Sequence, residues 1–325
     1  MCYTIPMSTK NKVLDLLEST NEYLSGESIA SQLNVSRASI WKAIKSLQKE
    51  GYHIVAIPNK GYKIEEDFDV LSYDGIKKYL HVECDLEVKD VVTSTNTVLS
   101  EKANQGAKDG LVVVSGMQTN GKGRMGHTFH SPQDTGVYLS VLLRPKNMSP
   151  MEATNITSMA AVSGCEAIEK LSKENAQIKW INDIFIKNRK VAGILTEASI
   201  NMELVTVDYV IMGIGFNVYT PEDGFPEEIK NIADSILKKK IYDGRNQLAA
   251  YFINSFLTYY KNWNKEEYHS EYVKRSMVLN KEIWIDSAEG IKKVFAKDID
   301  QDFQLVIIDN GIEKKVSSGE VHIKL

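Results

Sequence analysis

Cysteine is scarce in this chain: three in 325 residues, Cys2, Cys84 and Cys165, odd in number and far apart. Such a set builds neither a disulfide framework nor a zinc site, and a reducing cytoplasm is the expected compartment. Long apolar runs are missing too. No stretch reaches the roughly 18 consecutive apolar residues that a membrane helix needs, so no membrane association is expected. Met1 to Lys12 lacks the basic and apolar regions of a secretory signal, and Met7 is an equally good start. His127 and His130 stand three apart with no Cys or carboxylate cluster beside them, so no metal site is expected there. There is no G-x-x-x-x-G-K-S/T phosphate loop, and no convincing Ser–His or Cys–His constellation for covalent catalysis.

The length fits two or three domains with a large core. Charge is unevenly spread. From Ser8 to Ile64 eight basic residues face five acidic ones, a net of +3, so the remainder carries −7 of the chain's overall −4. A small basic module on a larger acidic one suggests a different partner for each.

In the basic part, Val13, Leu14, Leu16 and Leu17 predict a short amphipathic helix, and Glu27 to Leu33 a second that stops near Asn34. Ser36 is placed to cap a third running to about Glu50, with Ile40, Ile44 and Leu47 on one face and Gly51 closing it. Two apolar segments bracketing Pro58-Asn59-Lys60-Gly61 then form a hairpin, the wing of a winged helix-turn-helix. Ser36, Arg37, Ser39, Lys42, Lys45, Lys49 and, on the wing, Lys60 are the candidate contacts to DNA phosphates and base edges. A Lys-rich helix face also suits a small protein-interaction module. The acidic, aperiodic Glu65 to Asp69 reads as a linker.

The larger part is organised around Gln118-Thr119-Asn120-Gly121-Lys122-Gly123-Arg124-Met125-Gly126, which follows the strand-like Leu111 to Val114. Three glycines allow backbone N–H groups close to an anion, and Lys122 and Arg124 add charge. The spacing satisfies G-x-G-x-x-G, but the chain continues into His127 to Pro132, which cannot open a helix cleanly, so a dinucleotide fold is not expected. Ser94-Thr95-Asn96-Thr97 either caps a helix or binds a polar head group. Lys179 to Asp183, Ile184 to Ile186, Lys187 to Lys190 and Val191 to Leu195 form a hairpin that can fix Lys190 near Asp183. Ile211 to Asn217 is a strand whose glycines permit close approach of a ligand. Beyond about residue 278, short strand-like runs and Asp309-Asn310-Gly311 predict a small β-barrel.

Taken in order, Ser94-Thr95-Asn96, Gln118 with Gly121 to Gly126, Lys179 to Asp183, Arg189 to Leu195 and Gly213 to Asn217 resemble the biotin protein ligase family, in its bifunctional branch of biotin operon repressors. The resemblance covers nearly the whole chain. It departs at Lys122, where the family writes Arg in G-R-G-R-x-G and so has a planar fork for phosphate. It departs also at Phe129, in place of a Trp, and at Ile181, in place of a Pro.

The resemblance implies an α+β fold: a winged helix-turn-helix over 1–64, a linker at 65–70, a mixed-sheet, class II synthetase-like ligase domain over 71–275 and an SH3-like β-barrel over 276–325. It implies ATP, biotin and Mg²⁺, with biotin's carboxylate attacking the α-phosphorus and a lysine of a carboxylase carrier domain then attacking the biotinyl-5′-adenylate. Biotin would lie against Ser94, Thr95, Asn96, Gln118, Gly121, Arg124, Lys190 and Gly193. ATP and the adenylate would meet Lys122, Gly123, Arg124, Met125, Gly126, Lys179, Asn182, Asp183 and Asn217. Lys190, Arg124 and Asp183 would carry the chemistry, Lys190 at the carboxylate–phosphate junction. Operator DNA and a ligand-linked homodimer are the further partners implied. Two other readings stay open: a ligase whose first domain no longer represses, and a DNA-binding regulator that senses biotin without catalysis.

Overall fold

The computed structural model describes residues 8–50, 52–65, 69–146, 148–149, 152–201, 206–287 and 290–322. Gly51, Cys2, Met7 and residues 66–68 of the expected linker lie outside them. The chain divides into two compact units: residues 1–70 with 239–244, and residues 71–238 with 245–325.

The first unit carries α1 (Thr9–Glu18), α2 (Gly26–Leu33), α3 (Arg37–Lys49), β1 (Ile54–Ile57) and β2 (Gly61–Ile64). Each helix starts at a serine, Ser8, Ser25 or Ser36, whose side chain accepts from the amide three residues on. Asn34 ends α2 in the left-handed conformation, φ 52°. Ile40, Ala43, Ile44 and Leu47 bury one face of α3 against Val13, Leu17 and Ile29. β1 and β2 pair antiparallel, giving the expected wing. Residues 239–244 add Tyr242, which packs on this core and donates its hydroxyl to Glu18. No sequence pattern marks that return.

In the second unit, α4 (Tyr73–Tyr79), α5 (Thr95–Asn104), α6 (Ala153–Ser172), α7 (Gly244–Asn262) and α8 (Lys265–Arg275) accompany a seven-stranded sheet. Its strands are β3 (Leu86–Val92), β4 (Val112–Gln118), β5 (Gly136–Leu143), β6 (Gln177–Lys179), β7 (Asp183–Ile186), β8 (Arg189–Asn201) and β9 (Thr206–Asn217), in the order β3-β4-β5-β9-β8-β7-β6. Only β3 and β4 run parallel, so the sheet is mixed. Every residue of β5 is buried, as its apolar run leads one to expect of a central strand. The β7–β8 turn places Lys187 and Asn188 both at positive φ, 46° and 63°, the pattern of a two-residue type I′ hairpin.

Five further strands, β10 (Lys281–Ser287), β11 (Gly290–Ile299), β12 (Leu305–Asp309), β13 (Ile312–Val316) and β14 (Glu320–His322), form an antiparallel sheet ordered β13-β12-β11-β10-β14. It shares one continuous apolar core with the larger sheet. Phe303 sits at the join, stacked on Tyr268 with ring centroids 5.6 Å apart and edge-on to Tyr272. Its carbonyl accepts from Trp180 Nε1 at 2.9 Å. Among the described residues no helix is long and apolar enough to cross a membrane.

Candidate active site

A cavity of about 370 Å³ opens in the second unit, at the ends of β4, β8 and β9. Its walls differ in chemistry from one end to the other.

At one end lie Ser94, Thr95 and Asn96, all buried at the start of α5. Helix capping does not consume them. Ser94 holds the N-cap position but makes no capping bond, so its hydroxyl stays available. Thr95 N–H donates to Gln118 Oε1 at 2.9 Å, and Gln118 Nε2 donates to Ser131 Oγ at 3.0 Å. Asn96 Nδ2 reaches Glu197 Oε2 at 2.7 Å, while Ser140 Oγ lies 2.6 Å from Asn96 Oδ1 and 2.7 Å from Thr95 Oγ1. Buried polar groups this well paired are held in one geometry. The glycines of β9 make room for them. A Cβ on Gly213 would fall 2.1 Å from Asn96 Oδ1, and one on Gly215 2.5 Å from the Phe129 ring. Phe129 thus forms an apolar wall across Gly193 and Gly215.

At the other end the groups are ionic. Lys190 Nζ contacts Asp183 Oδ1 at 2.7 Å, across the bulge that shifts β7 against β8. Asn182 Nδ2 donates to Asp183 Oδ1 at 3.2 Å and to Ile194 O at 3.0 Å, and its Oδ1 accepts from Arg124 Nη1 at 3.0 Å. Arg124, Asn182, Asp183 and Lys190 therefore form one chain of contacts from the glycine loop to the β7–β8 hairpin. Lys179 lines the same end, with its pKa lowered by burial and partly restored by Asp183. Burial also lowers the pKa of His130.

Of the residues singled out from sequence, Ser94, Thr95, Asn96, Gln118, Lys122, Gly123, Arg124, Lys179, Asn182, Asp183, Lys190, Gly193 and Asn217 line this one cavity. Gly121, Met125 and Gly126 do not. Met125 is 73% exposed. Gly121 serves from behind the wall, since a Cβ there would lie 2.4 Å from Phe129 O. Sequence reading missed Ser131, Ser140 and Glu197 behind the polar end. It also missed two wall segments, Ile229 to Ala233 and Gly319 to His322. The first is tied down by Lys190 N–H donating to Ile232 O at 2.8 Å. The second comes from the C-terminal sheet, which sequence had left without chemistry.

In the first unit, Arg37, Lys42, Lys45, Lys49 and Lys60 are exposed on α3 and the wing. Ser36 and Ser39 are partly spent on each other, Ser39 N–H donating to Ser36 Oγ at 3.2 Å. Trp41, which the sequence reading passed over, stands 55% exposed on α3, in a groove shared with Arg37, Pro58 and Asn59.

The model of the biotin/lipoate A/B protein ligase family matches residues 88–217, the strands and loops that build this cavity. A helix-turn-helix domain model matches residues 9–63. The chain belongs to the biotin/lipoate A/B protein ligase family, in the branch that adds a helix-turn-helix unit. It is 40% identical over 220 residues to the bifunctional ligase/repressor BirA of Bacillus subtilis, covering 66% of each chain. That alignment spans just under two thirds of the relative's length. The BirA of Escherichia coli is 28% identical over 327 residues, 99% of this chain and 98% of that one. Among solved structures, the biotin protein ligase of Aquifex aeolicus in complex with biotin and ATP superposes with a TM-score of 0.61 at 25% identity, over 73% of this chain and 97% of that one.

Proposed function

We propose that this chain is a biotin protein ligase that also represses biotin-biosynthesis or transport genes, with biotinyl-5′-adenylate as corepressor. The observation that carries the ligase reading is the two-ended cavity. One end is a buried, neutral set of hydrogen-bonding groups for a cyclic urea. The other is an ionic cluster for a carboxylate meeting a phosphate. Biotin and ATP are together the ligands of the Aquifex aeolicus relative.

In this reading Ser94, Thr95 and Gln118 hold the ureido ring, and Phe129 covers the apolar body across Gly193 and Gly215. Lys190 neutralises the charge that builds as the carboxylate attacks the α-phosphorus and pyrophosphate leaves. Arg124 and Lys122 hold phosphate, with Lys179 and Asn217 on the nucleotide side. No enzyme nucleophile is needed, since positioning and charge neutralisation drive phosphoryl chemistry. The acceptor lysine of a carrier domain then attacks the mixed anhydride, with Asp183 near its amine. Among the described residues no group of three His, Cys, Asp or Glu is placed to hold a metal. The residues present therefore fit Mg²⁺ only as an ion carried on nucleotide phosphates, with Asp183 the carboxylate in reach. Such an ion supplies charge neutralisation on those phosphates.

Arg37, Lys42, Lys45, Lys49 and Lys60 give the winged unit its DNA face, and a ligand-linked homodimer lets two such units read paired half-sites. The strands after residue 276 fit an SH3-like module, and the cytoplasm is where ATP and carboxylase carriers meet. Biotin-dependent ATP–pyrophosphate exchange by the purified chain is the decisive assay. Exchange above the biotin-free control is expected, and none at saturating biotin would remove the ligase reading. For repression, a promoter fragment of a biotin gene should be retarded more strongly with biotin and ATP than without. Equal mobility at low salt leaves a ligase that no longer represses.

A further inference from the structure

A second groove, of about 650 Å³, lies wholly within the first unit, between α3 and the wing, with Arg37, Trp41, Pro58, Asn59 and Tyr62 among its walls. The wing that forms one side is pinned. Leu24 N–H donates to Tyr62 O at 2.9 Å and Tyr62 N–H to Leu24 O at 2.8 Å, which ties β2 to the chain ahead of α2. Gly61, at φ 114°, makes that crossing possible, since a Cβ there would lie 2.1 Å from Leu24 O. The groove is therefore formed before anything enters it.

Its charge is one-sided. Residues 37–49 and 54–64 contain Arg37, Lys42, Lys45, Lys49, Lys60 and Lys63 and no carboxylate. Arg37, Trp41 and Lys45 stand four apart on α3 and so share one face of it. The Trp41 indole, 55% exposed between two cations, takes no part in the apolar core of the unit. It offers an apolar plate and one N–H donor. A polyanion with apolar faces matches that combination, and duplex DNA is one, its phosphates alternating with deoxyriboses. A sugar–phosphate strand divides the major groove of the duplex from the minor. A unit whose α3 enters the major groove, with its wing over the neighbouring groove, straddles that strand. The strand must then pass through the groove that holds Trp41.

We infer that the groove between α3 and the wing seats one sugar–phosphate strand of duplex DNA, with the Trp41 ring against a deoxyribose and its N–H toward an adjoining phosphate. The inference rests on the DNA-binding reading above and adds to it a contact that carries no sequence information. Trp41 sets the register in which α3 lies and leaves base edges to other residues of the helix. Its contribution differs in kind from a lysine's. Lysines on phosphates release counterions and weaken with salt, whereas an indole buried on a sugar releases none.

The test uses the full chain, with biotin and ATP, on the biotin-gene promoter fragment. Trp41→Ala should weaken binding about tenfold at every salt concentration, with the slope of log affinity against log salt as in wild type. Trp41→Phe keeps an apolar ring and should bind within about threefold of wild type. Hydroxyl radicals cut DNA where deoxyribose is exposed, so at saturating protein Trp41→Ala should uncover a sugar that wild type protects. Replacing every thymine of the fragment by deoxyuridine removes the major-groove methyl groups. The factor lost in Trp41→Ala should be the same on both fragments. A loss confined to the thymine fragment makes Trp41 a reader of bases and overturns the inference. Binding indistinguishable from wild type, a flattened salt slope or an unchanged cleavage pattern overturns it as well. Should Trp41→Ala not fold, Trp41→Gln, polar and without a ring, is read on the same counts. A wild-type chain that never retards the fragment, even at low salt, sinks the DNA-binding reading instead, a result distinct from tight binding that ignores Trp41.

Discussion

At the polar end of the cavity, uncharged side chains and, behind them, the Glu197 carboxylate are tied to one another along a helix start and the strands β4, β5 and β8, with Asn96 reaching both Ser140 and Glu197. At the ionic end, Arg124 sits on a loop and Asp183 and Lys190 on a hairpin, joined through one amide, Asn182. The first arrangement is finished before any ligand arrives. In the second, the cations are held by Asn182 and Asp183, partners that in the proposed reading a phosphate displaces or joins. Preorganised neutral groups set which molecule enters, whereas charges held by exchangeable partners act on the charge that develops during reaction. Specificity should therefore live at the polar end and rate at the ionic end.

The largest expected effect tests the ionic end. Lys190→Ala removes a preorganised cation at developing charge and should lower the exchange rate on the order of 10²–10³-fold, with biotin binding measured calorimetrically far less affected. Exchange within about threefold of wild type would take Lys190 out of this role. The converse variant is Gly213→Ala, whose new Cβ forces Asn96 from its place. A rise in biotin KM of about tenfold, with kcat close to wild type, is expected, and a collapse of kcat at unchanged KM would break the comparison.

A third, smaller effect is one of pH. Burial lowers the Lys179 pKa and the Asp183 charge raises it again. In the folded chain Lys179 thus loses its proton at lower pH than an ordinary lysine does. Asp183→Asn removes the opposing charge, so the alkaline limb of the exchange profile should move to lower pH. Movement to higher pH, or none, would show that the limb belongs to another group. The smallest effect on chemistry belongs to Trp180→Phe, which leaves Phe303 O without its donor. Stability should fall by about 1–3 kcal/mol in denaturant titrations while the exchange rate holds. A variant as stable as wild type would deny that bond its part in joining the sheets.

What sequence disclosed and what it hid follows from the range of the contacts. The glycine loop, the Lys187 to Lys190 turn and the Ser36 cap act on their own neighbours, so their residue types show at once, whereas the Ser8 and Ser25 caps emerge only in the structure. Glycines 213 and 215 were legible as places of close approach, though not what approaches them: Asn96 and Phe129 come from far along the chain. Ser140 was illegible. Inside the apolar run Gly136 to Leu143 it reads as filler, and its partners lie 44 and 45 residues away. Glu197 looks like an ordinary exposed strand residue until Asn96 is brought beside it from 101 positions off. The wall supplied by Gly319 to His322 depends on how the second sheet docks, which no local pattern encodes.

The bond from Trp180 to Phe303 joins residues 123 positions apart, and the rings of Tyr268 and Tyr272 close around that same phenylalanine. One phenylalanine thus latches the strands of the small sheet to the floor of the large one, within a single apolar core. Two sheets sharing a core in this way are expected to unfold together, as one cooperative step for all of residues 71–238 and 245–325. Partial melting of the small sheet alone would be rare, and the cavity wall that Glu320 provides would last as long as the fold itself does.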